Sequence, residues 1–120
     1  MGKIDKPWGY EEQVLATQID IGDKTGMLGV RRLFINADEM TPYSYHEKQQ
    51  DILYLEEGNA VLRKDDEMIS LENAHAKLVR SGEKHQIQNI NDEVVVVLEI
   101  SFPYRPEDII RVEDPYNGQR

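Results

Sequence analysis

Apolar and polar residues alternate along this chain in short runs, and no stretch of eleven or more residues sustains the i, i+3, i+4, i+7 spacing of an amphipathic helix. Residues 27–35 predict a strand that ends at Asn36-Ala37-Asp38. Residues 51–57 predict another, with Ile52 and Tyr54 on one face and Leu53 and Leu55 on the other. Glu57-Gly58-Asn59 predicts a turn into a strand over 60–64, and Asp65-Asp66-Glu67 a further turn. A run over 76–79 leads to a turn at Ser81-Gly82-Glu83. Residues 84–90 predict a strand, and Asn91-Asp92-Glu93 is expected to close a hairpin onto 94–100. That last run, Val94-Val95-Val96-Val97-Leu98-Glu99-Ile100, is apolar on both faces and should be central or covered. Many short antiparallel strands at this spacing predict an all-β sandwich or barrel.

The chain reads as one domain with no linker: a core over about 27–102, an N-terminal arm over 1–20 and a polar tail over 103–120. In the tail, Pro106-Glu107-Asp108 is expected to start one helical turn through Ile109 and Ile110.

Composition narrows the function. With 120 residues the chain can bury a core without staples. It has no cysteine, which excludes disulfides, thiolate metal sites and cysteine nucleophiles. The formal net charge of −9, from 23 acidic and 14 basic residues, argues against nucleic acid as a partner. No segment reads as a signal core or a membrane span, so the expectation is a soluble, cytoplasmic protein with no membrane partner.

Metal chemistry without cysteine needs histidines and carboxylates. There are three histidines: His46, His75 and His85. On its strand, His85 shares a face with Ile87 and Asn89, and by the same alternation His46 shares one with Lys48. If both faces point inward they build one polar cluster. His75 falls outside this pattern and reads as a surface residue.

His46-x-Lys48-x-x-Asp51 followed by six residues and Gly58 resembles the first cupin motif, His-x-His, three or four residues, Glu, six residues, Gly. Gly82-x-x-His85-x-x-x-Asn89 resembles the second. More specifically, Lys6-Pro7-Trp8-Gly9 at the start and Asp108-Ile109-Ile110-Arg111-Val112-Glu113-Asp114-Pro115-Tyr116 at the end resemble the cupin domain of type II mannose-6-phosphate isomerases and mannose-1-phosphate guanylyltransferases. The resemblance spans nearly the whole chain. It implies an all-β, small single-domain cupin, a double-stranded β-helix or jelly-roll barrel, with a polar C-terminal tail.

The resemblance also implies a site. His46, Asp51 and His85 would hold a divalent metal such as Zn, Mn, Fe or Ni. Departures from the motif are Lys48 in place of the second histidine, Asp51 for the ligand glutamate, Ser44 for a glutamine, Arg80 for a proline and Asn73 for a glycine. Aspartate is one methylene shorter than glutamate, which draws its carboxylate back by about 1.5 Å. An ammonium about 4 Å from a unit positive charge is repelled by roughly 4 kcal/mol at a dielectric of 20, and a divalent ion about doubles that. Lys48 must therefore swing away to hold a substrate phosphate, or pair with Asp51 in a metal-free pocket.

Three functions are consistent with this sequence. The first is an aldose–ketose isomerase of sugar phosphates, with Glu99 as base, Lys48 as a second catalytic group, and Lys48, Arg111, Tyr43, Tyr54 and Asn89 contacting substrate. The second is a metal-free cupin that binds a carbohydrate or other small ligand. The third is a non-heme-metal enzyme of another reaction class, because two histidines and a carboxylate match such sites. Trp8 is expected to anchor the N-terminal arm to the barrel or to a second subunit, and a homodimer is expected.

Overall fold

A computed structural model describes residues 2–116. Expectations for Met1 and for 117–120 lie outside the described residues. Among the described residues no helix is long and apolar enough to cross a membrane, and eleven strands are formed. They are β1 (Lys3–Lys6), β2 (Gly9–Ile21), β3 (Lys24–Ile35), β4 (Tyr43–Tyr45), β5 (Gln50–Glu57), β6 (Ala60–Lys64), β7 (Glu67–Leu71), β8 (Ala76–Val79), β9 (His85–Gln88), β10 (Val95–Phe102) and β11 (Ile110–Glu113).

Two antiparallel sheets pack into a barrel. One runs β1-β2-β3-β10-β5-β8 and the other β11-β4-β9-β6-β7. The doubly apolar run of β10 lies between β3 and β5, as its composition requires. The alternation expected in β5 holds: Asp51, Leu53 and Leu55 are buried while Ile52 and Tyr54 face outward.

Two expectations are corrected. The segment after His85 does not close a hairpin onto β10, because β9 pairs with β4 and β6 in one sheet while β10 pairs with β3 and β5 in the other. Asn89 marks the crossing. Its side-chain amide donates to the carbonyls of Ile35, Asn36 and Glu93, and its oxygen accepts from the backbone of Asn91. Those bonds satisfy carbonyls at the end of β3 and just before β10. The helical turn predicted through Ile109 and Ile110 is a turn at Pro106-Glu107 followed by β11, which pairs with β4.

Glycines are required where the chain turns sharply. Gly9 adopts φ +151°, and a Cβ there would lie 1.9 Å from the Phe34 carbonyl oxygen. Gly58 adopts φ +89° in the β5–β6 turn, where a Cβ would press on Val95.

The interior is divided lengthwise. Leu33, Ile35, Leu53, Leu55, Leu62, Leu71, Val79, Val95 and Val97 form one aliphatic core, joined by Trp8 and Ile87. Further along the same inward faces the residues turn polar. β5 passes from Leu55 and Leu53 to Asp51, and β10 from Val95 and Val97 to Glu99 and Ser101. β9 passes from Ile87 to His85. The strand register sets Ser101 opposite Asp51 and Ser44 opposite His85. One end of the barrel is thus packed, and the other is a cavity with polar walls.

Candidate metal centre

The cavity has a volume of about 120 Å³. Trp8, Leu33, Ile87 and Ile109 make apolar walls, and His46, His85, Glu11, Glu99, Arg31 and Arg111 the polar ones. Asp51 lies behind the two imidazoles and is fully buried.

His46, Asp51 and His85 converge. His46 Nε2 lies 3.1 Å from Asp51 Oδ2, and His85 Nε2 3.7 Å from the same oxygen. One ligand atom from each of the three residues falls within 4.8 Å of the others. Two ligands held tetrahedrally on a zinc-like ion stand about 3.4 Å apart, so these spacings match a shared ion.

The hydrogen bonds around the triad set its polarity. His46 Nδ1 donates to the Asp108 carbonyl at 2.5 Å, and His85 Nδ1 to the Glu83 carbonyl at 3.1 Å. Both Nε2 atoms therefore present lone pairs to the centre. Asp51 Oδ1 accepts from Ser101 Oγ at 2.6 Å and from Gln49 Nε2 at 2.9 Å. Asp51 Oδ2 is buried without a hydrogen-bond partner. Three acceptors facing one another need a cation between them. The residues present therefore fit a divalent metal.

A proton is the alternative cation. Burial pulls the His46 ring down, but its hydrogen bond to Asp51 and that residue's charge outweigh burial and raise it. Burial likewise pushes Asp51 up, and hydrogen bonds from His46 and Ser101 outweigh it, leaving the carboxyl below its usual range. His85 is lowered, chiefly by burial. A proton on His46 Nε2 would turn the 3.1 Å Nε2–Oδ2 contact into a hydrogen bond.

Beside this triad sits a second buried cluster. Arg31 donates through Nη1 to both Glu11 oxygens, at 3.1 and 3.0 Å, and through Nη2 to Glu99 Oε1. Lys6 approaches Glu11 at 4.0 Å. Burial raises Glu99, and the Arg31 charge pulls it back only in part.

Lys48 is a correction. Its side chain is exposed, does not line the cavity and forms no pair with Asp51. Strand alternation stops after β4, because the Asp108 carboxylate accepts the backbone N–H groups of Glu47, Lys48 and Gln49 at 2.9, 2.8 and 3.0 Å. The curled segment turns Gln49 inward and Lys48 out. Counted back from Asp51 with four intervening residues, the first cupin motif places its two histidines at Ser44 and His46. Ser44 is buried and lines the cavity, so that register is the one the fold adopts.

Three other expected substrate contacts also lie off the cavity. Tyr43 is buried, with its hydroxyl bonded to Asp66 and its ring under Arg63. Tyr54 is on the outward face of β5. Asn89 is spent on the β9–β10 crossing. Glu99 and Arg111 do line the cavity. Trp8 packs in the core and also forms cavity wall. His75 is exposed, 3.6 Å from Glu72.

Residues passed over in the sequence include Glu11, Arg31, Gln49 and Asp108. Arg31 had a signal: it alternates with Leu33 and Ile35 on the inward face of β3. Asp108 had none beyond its place in the tail motif.

Comparison with known proteins places this geometry. No family model matches the chain. The polyketide cyclase RemF from Streptomyces resistomycificus superposes with a TM-score of 0.72 at 20% identity, over 98% of this chain and 82% of that one. A sugar phosphate isomerase of the cupin superfamily from Silicibacter pomeroyi superposes with a TM-score of 0.61 at 20% identity, over 76% of this chain and 60% of that one. This chain has the cupin fold. In sequence, the tetracenomycin polyketide synthase protein TcmJ from Streptomyces glaucescens is 34% identical over 101 residues, which are 82% of this chain and 66% of that protein. The chain thus spans just under two thirds of its curated relative's length. Among the solved structures, likeness of fold extends to a sugar phosphate isomerase and a polyketide cyclase alike.

Proposed function

We propose that this cupin is a divalent-metal enzyme that moves a proton beside a carbonyl group of a small, oxygen-rich metabolite, with sugar phosphates as its substrate class. The observation that carries the proposal is the orphaned Asp51 Oδ2 between two Nε2 lone pairs, with Glu99 on the adjoining wall.

His46, Asp51 and His85 would hold the metal, which supplies Lewis acidity to a substrate carbonyl. Glu99 is the base. Burial weakens its hold on a negative charge, which makes it readier to accept a substrate proton, and Arg31 keeps its carboxylate oriented. Arg111 and Lys6 add positive charge to the cavity lining and suit an anionic substituent. Trp8, Leu33, Ile87 and Ile109 exclude water from the other side.

The test is to measure metal in protein purified without chelator or nickel resin, then to assay mannose-6-phosphate and fructose-6-phosphate interconversion with Zn, Mn, Fe and Ni. The expected result is near-stoichiometric metal and turnover that Glu99→Gln lowers by roughly 10²–10⁴ without loss of metal. Absence of turnover with every metal rejects the isomerase reading.

A second reading has its own support. The apolar walls and the likeness to TcmJ and RemF fit a larger, less polar polyketone, on which the same proton abstraction would start ring closure.

A further inference from the structure

Asp108 lies in the C-terminal segment, 62 residues from His46, and belongs to none of the three ligand residues. It nevertheless touches their geometry twice. Its carboxylate accepts three consecutive backbone N–H groups, from Glu47 on Oδ1 and from Lys48 and Gln49 on Oδ2. Its backbone carbonyl accepts the His46 Nδ1 proton. The two contacts come from one residue, so the position of the carbonyl depends on the anchoring of the carboxylate.

The consequences converge on the triad. The carbonyl decides which His46 nitrogen bears the proton, and so leaves the Nε2 lone pair aimed at Asp51. The curl over 46–49 turns Gln49 inward, where its Nε2 donates to Asp51 Oδ1 and Ser101 Oγ. Gln49 Oε1 in turn accepts the Arg105 N–H at 2.8 Å, which ties the same segment down a second time. Two of the three ligand residues are thus oriented from the tail.

We propose that Asp108 is the positioning residue of the metal centre: it holds His46 in the Nδ1-protonated tautomer and fixes the 47–49 curl, so the centre is complete only when the C-terminal segment is docked. The assignment rests on the metal reading for its effect on affinity, but the tautomer claim stands on the protein alone. Ordinary hydrogen bonding would cap any loop. What distinguishes a positioning role is that the ligand's protonation pattern changes when Asp108 is lost.

The experiment uses the full chain, stripped of metal and held at a pH where His46 carries a single proton, as wild type, Asp108→Ala, Asp108→Asn and the control Glu107→Ala, whose side chain is exposed. Long-range ¹H–¹⁵N spectra report the His46 tautomer, and zinc competition against a chromophoric chelator reports affinity. The expected result is Nδ1–H at His46 in wild type and control, a mixed or Nε2–H tautomer in Asp108→Ala, and zinc affinity lower by roughly 10–100-fold, the range for an outer partner of a metal ligand. Asp108→Asn keeps the size of the side chain but offers one acceptor oxygen where two are used. It should move the same way by less, and it decides the matter should the alanine variant not fold. An unchanged tautomer with zinc affinity within twofold of wild type overturns the assignment. A wild type that binds no zinc overturns the metal reading instead, and the tautomer comparison then decides the role of Asp108.

Discussion

Two clusters of buried charge sit side by side at the polar end of this barrel, and they solve the same problem in opposite ways. In the Glu11–Arg31–Glu99 cluster the chain supplies its own cation: one guanidinium bonds both carboxylates. In the His46–Asp51–His85 cluster it supplies acceptors only. Asp51 Oδ1 is satisfied by Ser101 and Gln49, and Oδ2 is left facing two lone pairs. A buried carboxylate without a partner is expensive, so the first cluster contributes to holding the fold and the second has the donor set that the proposed metal would use. Under the proposed function, the cluster of acceptors is the binding site, and the cluster with its cation built in is scaffold that also carries Glu99, the proposed base.

That contrast can be broken from either side. The largest effect is expected from Arg31→Met, which leaves Glu11 and Glu99 buried without their cation and should cost about 3–5 kcal/mol in urea unfolding, while bound metal stays near the wild-type level. Next is metal itself. Zinc at 100 times its dissociation constant should stabilise the wild type by about 2.7 kcal/mol over the chelator-treated protein, seen as a higher Tm in thermal unfolding, and the gain should vanish in His46→Ala. Asp51→Asn should be smaller in stability but decisive for metal. The amide oxygen can keep the Ser101 and Gln49 bonds, so metal-free stability should change by no more than about 1 kcal/mol, whereas elemental analysis after dialysis should find the metal gone. Full metal occupancy in that variant would remove the distinction between the clusters. Smallest of all is Lys48→Ala, expected within about 0.5 kcal/mol of wild type and within twofold in zinc affinity, because the side chain stands in solvent.

Much of the fold is legible in the sequence. The two-residue alternation of β5, the doubly apolar run of β10 and the turn glycine Gly58 depend on local rules that hold wherever a strand is half or wholly covered. The triad was legible because its spacing resembles a known motif. What misled was the extension of alternation past the end of a strand. His46 and Lys48 share a face only while the backbone stays extended, and the Asp108 carboxylate, arriving from a distant segment, bends it there. The β9–β10 hairpin failed for a related reason. A turn signal such as Asn91-Asp92-Glu93 reports that the chain bends, not which sheet the next strand joins, and the three carbonyls gathered by Asn89 belong to residues 35, 36 and 93.

The sequence alone determined that this protein is all-β and carries a cupin-like pair of histidines with a carboxylate, because periodicity, turn chemistry and motif spacing are properties of neighbours along the chain. Only the tertiary structure decided that Lys48 is outside, that Ser44 and Gln49 are inside, and that Arg31 and Asp108 complete the surroundings of the site. Those outcomes depend on hydrogen bonds between residues twenty to sixty-eight positions apart, Arg31 with Glu11 at the near end and Arg31 with Glu99 at the far one. Such bonds depend on the fold bringing distant segments together, and those shielded from water also spare a polar group the cost of being left unpartnered.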